Sequence, residues 1–319
     1  MPGRRPTWPS NLLNLMADPS QPSILVVGSA NLDIVVPVPH HPAKGETVLG
    51  GNHEQIPGGK GANQAVASAR LGGKVAFLGM VGSDPAGRTL RSSLDDAGVD
   101  TRALGTSPDV PSGIALITVG PDGDNAIVVS PGANEQVVPS MLDEHAALLD
   151  ASVVQLQLEI PLETIIACAQ RANGIVILDP APAPASGLPQ DLLDAVDILI
   201  PNETELALLA RRSVDADDID DIESAARSLG VDNVIVTLGR RGAVVVGDHV
   251  VHVPAPKIEA VDTTAAGDAF RSAIAVQVAA GTDLVTAARM AVRVGAATAL
   301  RFGAQPSLPT PAEVDRLLT

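Results

Sequence analysis

The sequence predicts an α/β fold, a central and mostly parallel sheet flanked by helices, with a small β-sheet set beside it. Three observations predict this. Short apolar runs that read as buried strands alternate with helix-spaced segments along most of the chain. Hydrophobic residues make up 45% of the sequence but aromatics only 1%, so the core is built from Val, Leu, Ile and Ala, which suit strands buried on both faces. An early Val/Pro-rich segment and a hairpin interrupt the alternation, which sets those strands apart.

Ile24-Leu25-Val26-Val27-Gly28 is an apolar run closed by Gly, a buried first strand. Residues 33–57 mix Val pairs with Pro37, Pro39, Pro42 and paired glycines, and suit short exposed strands. Lys60 to Leu71 has helical spacing and stops at Gly72-Gly73. Val75 to Met80 reads as a strand and Asp84 to Ala97 as a helix ended by Gly98. Ile114 to Val119 and Ala126 to Val129 flank Pro121-Asp122-Gly123-Asp124, a hairpin signature. Strands follow near 153–158, 175–178, 198–200 and 234–238, separated by helices near 161–171, 203–209 and 219–229. The expected small sheet draws its strands from about 33–57 and 112–131. It would cover the mouth of the main domain, residues 23–319. Residues 1–22 read as a disordered tail, because the apolar stretch Leu12 to Met16 is too short for a secretory core.

Composition narrows the function. With 21 basic and 37 acidic residues the formal charge is −16, a surface that repels phosphate backbones, so no nucleic-acid partner is expected. No apolar run is long enough to predict a membrane span. The single cysteine, Cys168, excludes an intrachain disulfide and suits a reducing compartment, so the expected location is cytoplasmic. The six histidines show no metal-ligand spacing.

Several segments offer chemistry. Asp262-Thr263-Thr264-Ala265-Ala266-Gly267-Asp268 precedes an Ala-rich helical stretch. Amides of Ala266, Gly267 and Asp268 at a helix start can cradle an anion. Asp268, in the first turn, can take a proton from an attacking hydroxyl. It also reads simply as an acidic residue stabilising a helix start. Gly58-Gly59-Lys60-Gly61-Ala62-Asn63-Gln64 allows close backbone approach and presents donors for a polyhydroxyl ligand, or forms a plain tight turn. Asn31 and Asp33 fall on one side of an extended segment, and Glu159 ends another strand. Asn202 and Glu205 have capping-box spacing, or hold a Mg2+ hydration shell. Thr237-Leu238-Gly239-Arg240-Arg241-Gly242 is a basic turn able to approach phosphates, and equally a hairpin connection. Neither a Walker loop nor a dinucleotide-binding Gly-x-Gly-x-x-Gly turn follows the first strand.

Taken in order, these segments resemble the PfkB-type carbohydrate and nucleoside kinase family, in its ribokinase branch. Gly28 to Asp33, Gly45 to Val48, Gln157 to Glu159 and Gly303 to Ser307 add to the likeness, which runs from about Ile24 to Leu318. The resemblance implies a ribokinase-like three-layer fold and transfer of the ATP γ-phosphoryl group to O5 of ribose. Asp268 would be the base, with Ala265, Ala266 and Gly267 as anion hole. Asn31, Asp33, Gly58, Gly59, Lys60, Asn63 and Glu159 would bind ribose. Asn202, Thr237, Gly239, Arg240, Gly242 and Gly267 would lie along ATP, with Glu205 serving Mg2+ through water. Asp262, Thr264, Thr298, Arg301, Gly303 and Ser307 match the loops that bind a monovalent cation, usually K+. A homodimer through the small sheet is also implied. The same pattern leaves open fructose, deoxyribose, a sugar acid or a nucleoside as substrate, and a catalytically silent sugar-binding protein. Two positions depart from the family: Arg271-Ser272 replaces a small pair after Asp268, and Val292 stands where relatives often carry a polar residue near adenine.

Overall fold

A computed structural model describes residues 23–318. The tail expected over residues 1–22 lies outside the described residues. The first strand is Ile24–Val27 (β1), followed by Asn31–Pro37 (β2), Glu54–Gly58 (β3), Lys60–Arg70 (α1), Val75–Gly82 (β4), Pro85–Asp96 (α2) and Leu104–Ser107 (β5). Gly113–Val119 (β6), Asn125–Ser130 (β7), Val153–Leu156 (β8), Leu162–Arg171 (α3), Ile175–Leu178 (β9) and Ile198–Leu199 (β10) come next. The chain continues through Glu203–Ala210 (α4), Ile219–Ser228 (α5), Asn233–Thr237 (β11), Ala243–Val246 (β12) and Val250–Val253 (β13). It closes with Ala266–Ala279 (α6), Leu284–Thr298 (α7) and Pro311–Leu317 (α8).

Among the described residues the strands form two sheets. The main sheet has nine strands in the order β13-β12-β11-β10-β9-β8-β1-β4-β5. It is parallel from β5 to β11, and β12 and β13 add an antiparallel edge. Its inner strands are buried on both faces, as their unbroken apolar runs require. Ile24 and Val26 point into one helical layer, while Leu25 and Val27 point into the other. Each buried Leu or Ile stabilises the fold by about 1.5–3 kcal/mol. Helices α1, α6 and α7 cover the first face. Alanines such as Ala269, Ala273, Ala288 and Ala291 let them pack closely.

The small sheet has four strands in the order β3-β2-β6-β7. Strand β2 pairs antiparallel with β3 and parallel with β6, and the β6–β7 hairpin turns at the Asp-Gly signal. His41 ties the segment after β2 to this hairpin, through Thr118 Oγ1 at 2.8 Å and Asp124 at 3.0 Å.

Some elements were not legible from local pattern. Helix α7 buries residues 284, 287, 288 and 291, a helical spacing, but so many are alanine that its apolar stripe is faint. Its start is fixed by Asp283, which accepts from the Thr286 N–H at 3.0 Å. Strand β5 exists through its pairing with β4 rather than through its own Leu-Gly-Thr-Ser sequence.

Candidate active site

After β1 the chain runs to β4 on one side of the main sheet, and later to β8 on the other. The sheet order therefore reverses between β1 and β8. Open α/β sheets bind ligands outside the carboxyl ends of the strands at such a point. The segments leaving β1 and β8, the start of α1 and the start of α6 all meet there.

Asn31 and Asp33 open β2 and are buried. They belong to the small sheet rather than to a main-sheet strand end. Two glycines let the β3–α1 corner close over them. A Cβ on Gly58 would stand 2.2 Å from Asp33 Oδ2. Gly59 has φ 86°, and a Cβ there would stand 2.6 Å from the Asn31 nitrogen. Across the gap, Glu159 Oε2 accepts from Ser29 Oγ at 2.5 Å and from the Lys60 N–H at 3.1 Å. Asn63 Nδ2 donates to Asp268 Oδ2 at 3.0 Å, and its own Oδ1 is buried with no hydrogen-bond partner. A buried acceptor left unmatched costs stability, and a ligand hydroxyl would satisfy it. The structure thus brings Asn31, Asp33, Gly58, Gly59, Lys60, Asn63, Glu159 and Asp268 into one cleft.

The charges there are strongly coupled. Burial, followed by the Glu159 and Asp268 carboxylates, pushes the Asp33 carboxyl up to about 7. Burial likewise lifts Asp179 to about 6, although Arg271 and Lys60 pull the other way. For Lys60, burial favours the neutral amine, but Asp179, Asp268 and Glu159 outweigh it and raise the ammonium above its ordinary value.

Four residues of this cleft received no role of their own from the sequence, although Gln64 and Gln157 lie within its motifs. Asn134, in the turn Gly132–Gln136, accepts from the Ala30 N–H at 2.9 Å, and its Nδ2 donates to Asn31 Oδ1 at 2.7 Å. It sits about a hundred residues from its partners, in a loop with no local signal. Gln157 donates to Gln64 Oε1 at 2.6 Å. Gln64 in turn donates to Asp179 Oδ2 at 2.9 Å and to Asp268 Oδ1 at 3.1 Å. Asp179 did carry a signal: like Glu159, it is a carboxylate just past a main-sheet strand.

The anion turn differs in detail from expectation. Ala265 is left-handed with φ 59°, and helix α6 starts immediately after it. The Ala266 N–H donates to the Thr263 carbonyl at 3.2 Å, so it does not face an incoming anion as expected. The following N–H groups, of Gly267 and Asp268, lie in the first helical turn, where no carbonyl one turn back can accept. Asp268 is buried, with both oxygens held by Asn63 and Gln64. Arg271 neither reaches solvent nor crowds Asp268. Its head pairs with Asp179 and Glu205 instead.

The segments assigned to nucleotide and ions are anchored as follows. Asn202 and Glu205 form a full capping box on α4: Asn202 Oδ1 accepts from the Glu205 N–H at 2.8 Å, and Glu205 Oε2 from the Asn202 N–H at 2.7 Å. One Glu205 oxygen is therefore occupied before any ion arrives. Thr237 lies beside Asn202 and donates its N–H to the Pro201 carbonyl at 2.9 Å. The turn through Gly239, Arg240 and Gly242 is the hairpin connection between β11 and β12. Gly239 and Arg240 are exposed, whereas Arg241 is drawn aside onto Glu203 and Asp217. Asp262 joins two loops, accepting from the Thr264 N–H at 2.9 Å and the Gly303 N–H at 2.8 Å. Thr298 and Ser307 hydroxyls are turned to the Val294 and Ala304 carbonyls, and Arg301 pairs with Glu313. Val292 is buried in the core on α7. Among the described residues no cluster of three or more His, Cys, Asp or Glu could hold a metal, and no helix is long and apolar enough to cross a membrane.

A buried carboxylate beside helix-start amides and a polar cleft is an arrangement suited to moving a charged group onto an alcohol. A family model described as pfkB family carbohydrate kinase matches residues 21–311. The chain belongs to the pfkB family of carbohydrate kinases. As a pfkB-family kinase it is a phosphotransferase. It is 38% identical to a ribokinase of Bacillus subtilis over 302 residues, 93% of this chain and 99% of the relative. It is also 38% identical to a deoxyribokinase of Salmonella typhi over 296 residues, 90% of this chain and 95% of the relative. A solved structure of Arabidopsis thaliana ribokinase complexed with ribose and ATP is similar, with TM-score 0.85 and 34% identity, covering 94% of this chain and 99% of that one.

Proposed function

We propose that this pfkB-family kinase is an ATP-dependent ribokinase, which transfers the γ-phosphoryl group to O5 of D-ribose to give ribose 5-phosphate and ADP. One observation carries the reading: Asp268 is fixed by Asn63 and Gln64 at the junction of the hydroxyl-binding cleft and the α6 turn. A sugar held by Asn31, Asp33, Gly58, Gly59, Lys60, Asn63 and Glu159 offers its primary hydroxyl to Asp268, which takes the proton. The Gly267 and Asp268 N–H groups, helped by the α6 dipole, stabilise charge on the transferred group. Ala265 fixes the turn that aims them. The small sheet excludes water from the cleft and so limits hydrolysis of ATP.

The nucleotide lies along Asn202, Thr237, Gly239, Arg240 and Gly242. A Mg2+ ion would arrive with ATP and meet the protein through water near Glu205, whose second carboxylate oxygen the capping box leaves over. When bound, that ion neutralises phosphate charge. A monovalent cation, K+, fits the paired loops that Asp262 ties together, near Thr264, Thr298, Arg301, Gly303 and Ser307. Its contribution is to order the anion turn. The outer face of the small sheet exposes Leu116 and Val128, which lie directly opposite one another, and suits a homodimer. A cytoplasmic location accords with the lone buried cysteine.

The 38% identity to a deoxyribokinase favours 2-deoxyribose as a second substrate. The test is ADP release from ATP against ribose, 2-deoxyribose, fructose, a sugar acid and a nucleoside, with and without K+. Ribose is expected to give the highest kcat/KM. No ADP release with any sugar refutes the ribokinase reading, and a higher kcat/KM on 2-deoxyribose shifts the substrate.

A further inference from the structure

Arg271 stands one helical turn after Asp268, where the family usually has a small residue, and its side chain is only 6% exposed. A buried guanidinium must be paired and hydrogen-bonded to be tolerated. Nε and Nη2 both donate to the Ile200 carbonyl, at 3.2 and 3.0 Å. Nε also lies 3.0 Å from Asp179 Oδ1, and Nη2 lies 3.5 Å from Glu205 Oε2. Those groups grip the head from behind and fix its plane.

The third nitrogen faces elsewhere. Nη1 lies 2.6 Å from where a Cβ on Gly267 would stand, so a side chain at 267 would have to displace it. Cα–Cβ bonds in a helix tilt toward its N-terminus. Nη1 therefore lies beside Gly267 in the first turn of α6, whose N–H groups have no carbonyl one turn back. The Nε–H donates to Ile200, so the contact with Asp179 Oδ1 is an ion pair without a hydrogen bond.

We infer that Arg271 is a catalytic contact of this enzyme, a fixed guanidinium whose Nη1 binds the transferred γ-phosphoryl group beside the Gly267 turn. The inference rests on the kinase reading above. A planar cation held in place by carboxylates needs no reorganisation as charge spreads over the phosphoryl oxygens. It also offsets the carboxylates that would otherwise repel a triphosphate from a chain of net charge −16. The competing role is that of a counter-ion for Asp179 with no contact to substrate.

Calorimetric affinities for ADP and for the β,γ-imido analogue of ATP separate the two, measured on wild type, Arg271→Lys and Arg271→Met alongside steady-state kinetics. The expected result for Arg271→Met is analogue binding weakened at least about tenfold, ADP binding changed less than about twofold, and kcat lowered at least about 10²-fold at nearly constant ribose KM. Arg271→Lys should recover part of the kcat. Equal weakening of ADP and analogue, or of neither, overturns the inference. If Arg271→Met fails to fold because Asp179 loses its counter-ion, Arg271→Met/Asp179→Asn removes that charge too and is compared with Asp179→Asn in the same assay. Wild-type protein that releases no ADP with any sugar refutes the ribokinase reading itself, whereas the ADP-to-analogue comparison bears on Arg271 alone.

Discussion

Asp33→Asn should make the ligand-free protein more stable and the enzyme worse. The carboxyl of Asp33 is only 8% exposed and is pushed up to about 7 from 3.8. Its folded-state value is raised, so the folded protein holds this proton more tightly than the unfolded chain does. Ionising it thus costs nothing below about pH 4, progressively more between about 4 and 7, and the full amount above about 7. The full amount corresponds to about 4 kcal/mol, the difference between the two values at about 1.4 kcal/mol per unit. An asparagine escapes that cost. At pH 8, differential scanning calorimetry without ligand should find the variant's Tm higher by at least about 3 °C. At pH 4.5 the advantage should shrink to about 1 kcal/mol. Function should move the other way. Only the ionised carboxylate accepts from two sugar hydroxyls, so wild-type ribose affinity should rise about tenfold per pH unit up to about 7 and then level off. In Asp33→Asn that slope should vanish, with ribose bound about 10- to 10²-fold more weakly at pH 8. A Tm difference independent of pH, or unchanged ribose affinity, would refute the argument.

Asp268→Asn should lower kcat at least about 10²-fold while calorimetric ribose affinity stays within about threefold, since its hydrogen bonds to Asn63 and Gln64 position rather than bind sugar. Asn134→Ala should raise the ribose KM about tenfold and lower the Tm, because the Ala30 N–H loses its acceptor and Asn31 its donor. Asp262→Ala should raise the K+ concentration for half-maximal ADP release at least about tenfold, as the two loops it joins part. Val128→Asp, which puts a charge on the bare outer face of the small sheet, should leave a monomer by sedimentation.

Strands β1, β8 and β9 were legible because each is an unbroken aliphatic run, and α1 because glycines frame it. Glu159 and Asp268 could be read as functional from their neighbours in sequence. Asn134 and Gln64 could not be placed that way, because their roles are fixed by partners far along the chain. Arg271 was visible as an oddity, but its direction was not. A charged residue in an apolar helix says nothing of which carboxylates lie under it, and here they come from the end of β9 and the first turn of α4. The Ala266 amide shows the same limit at finer scale, since a left-handed Ala265 rotates it back onto Thr263.

The gap between β1 and β2 is only three residues, Gly28 to Ala30, and it joins the two sheets. Asn31 and Asp33 ride on one side of that joint, and Asn63, Glu159 and Asp268 on the other. A guest that touches both sides acts as a rivet between them. Once it is seated, the slab carrying Asn31 has less freedom left to lose, so the second guest to arrive pays a smaller entropic toll. By thermodynamic reciprocity, whichever guest comes first strengthens the hold on the other by the same factor.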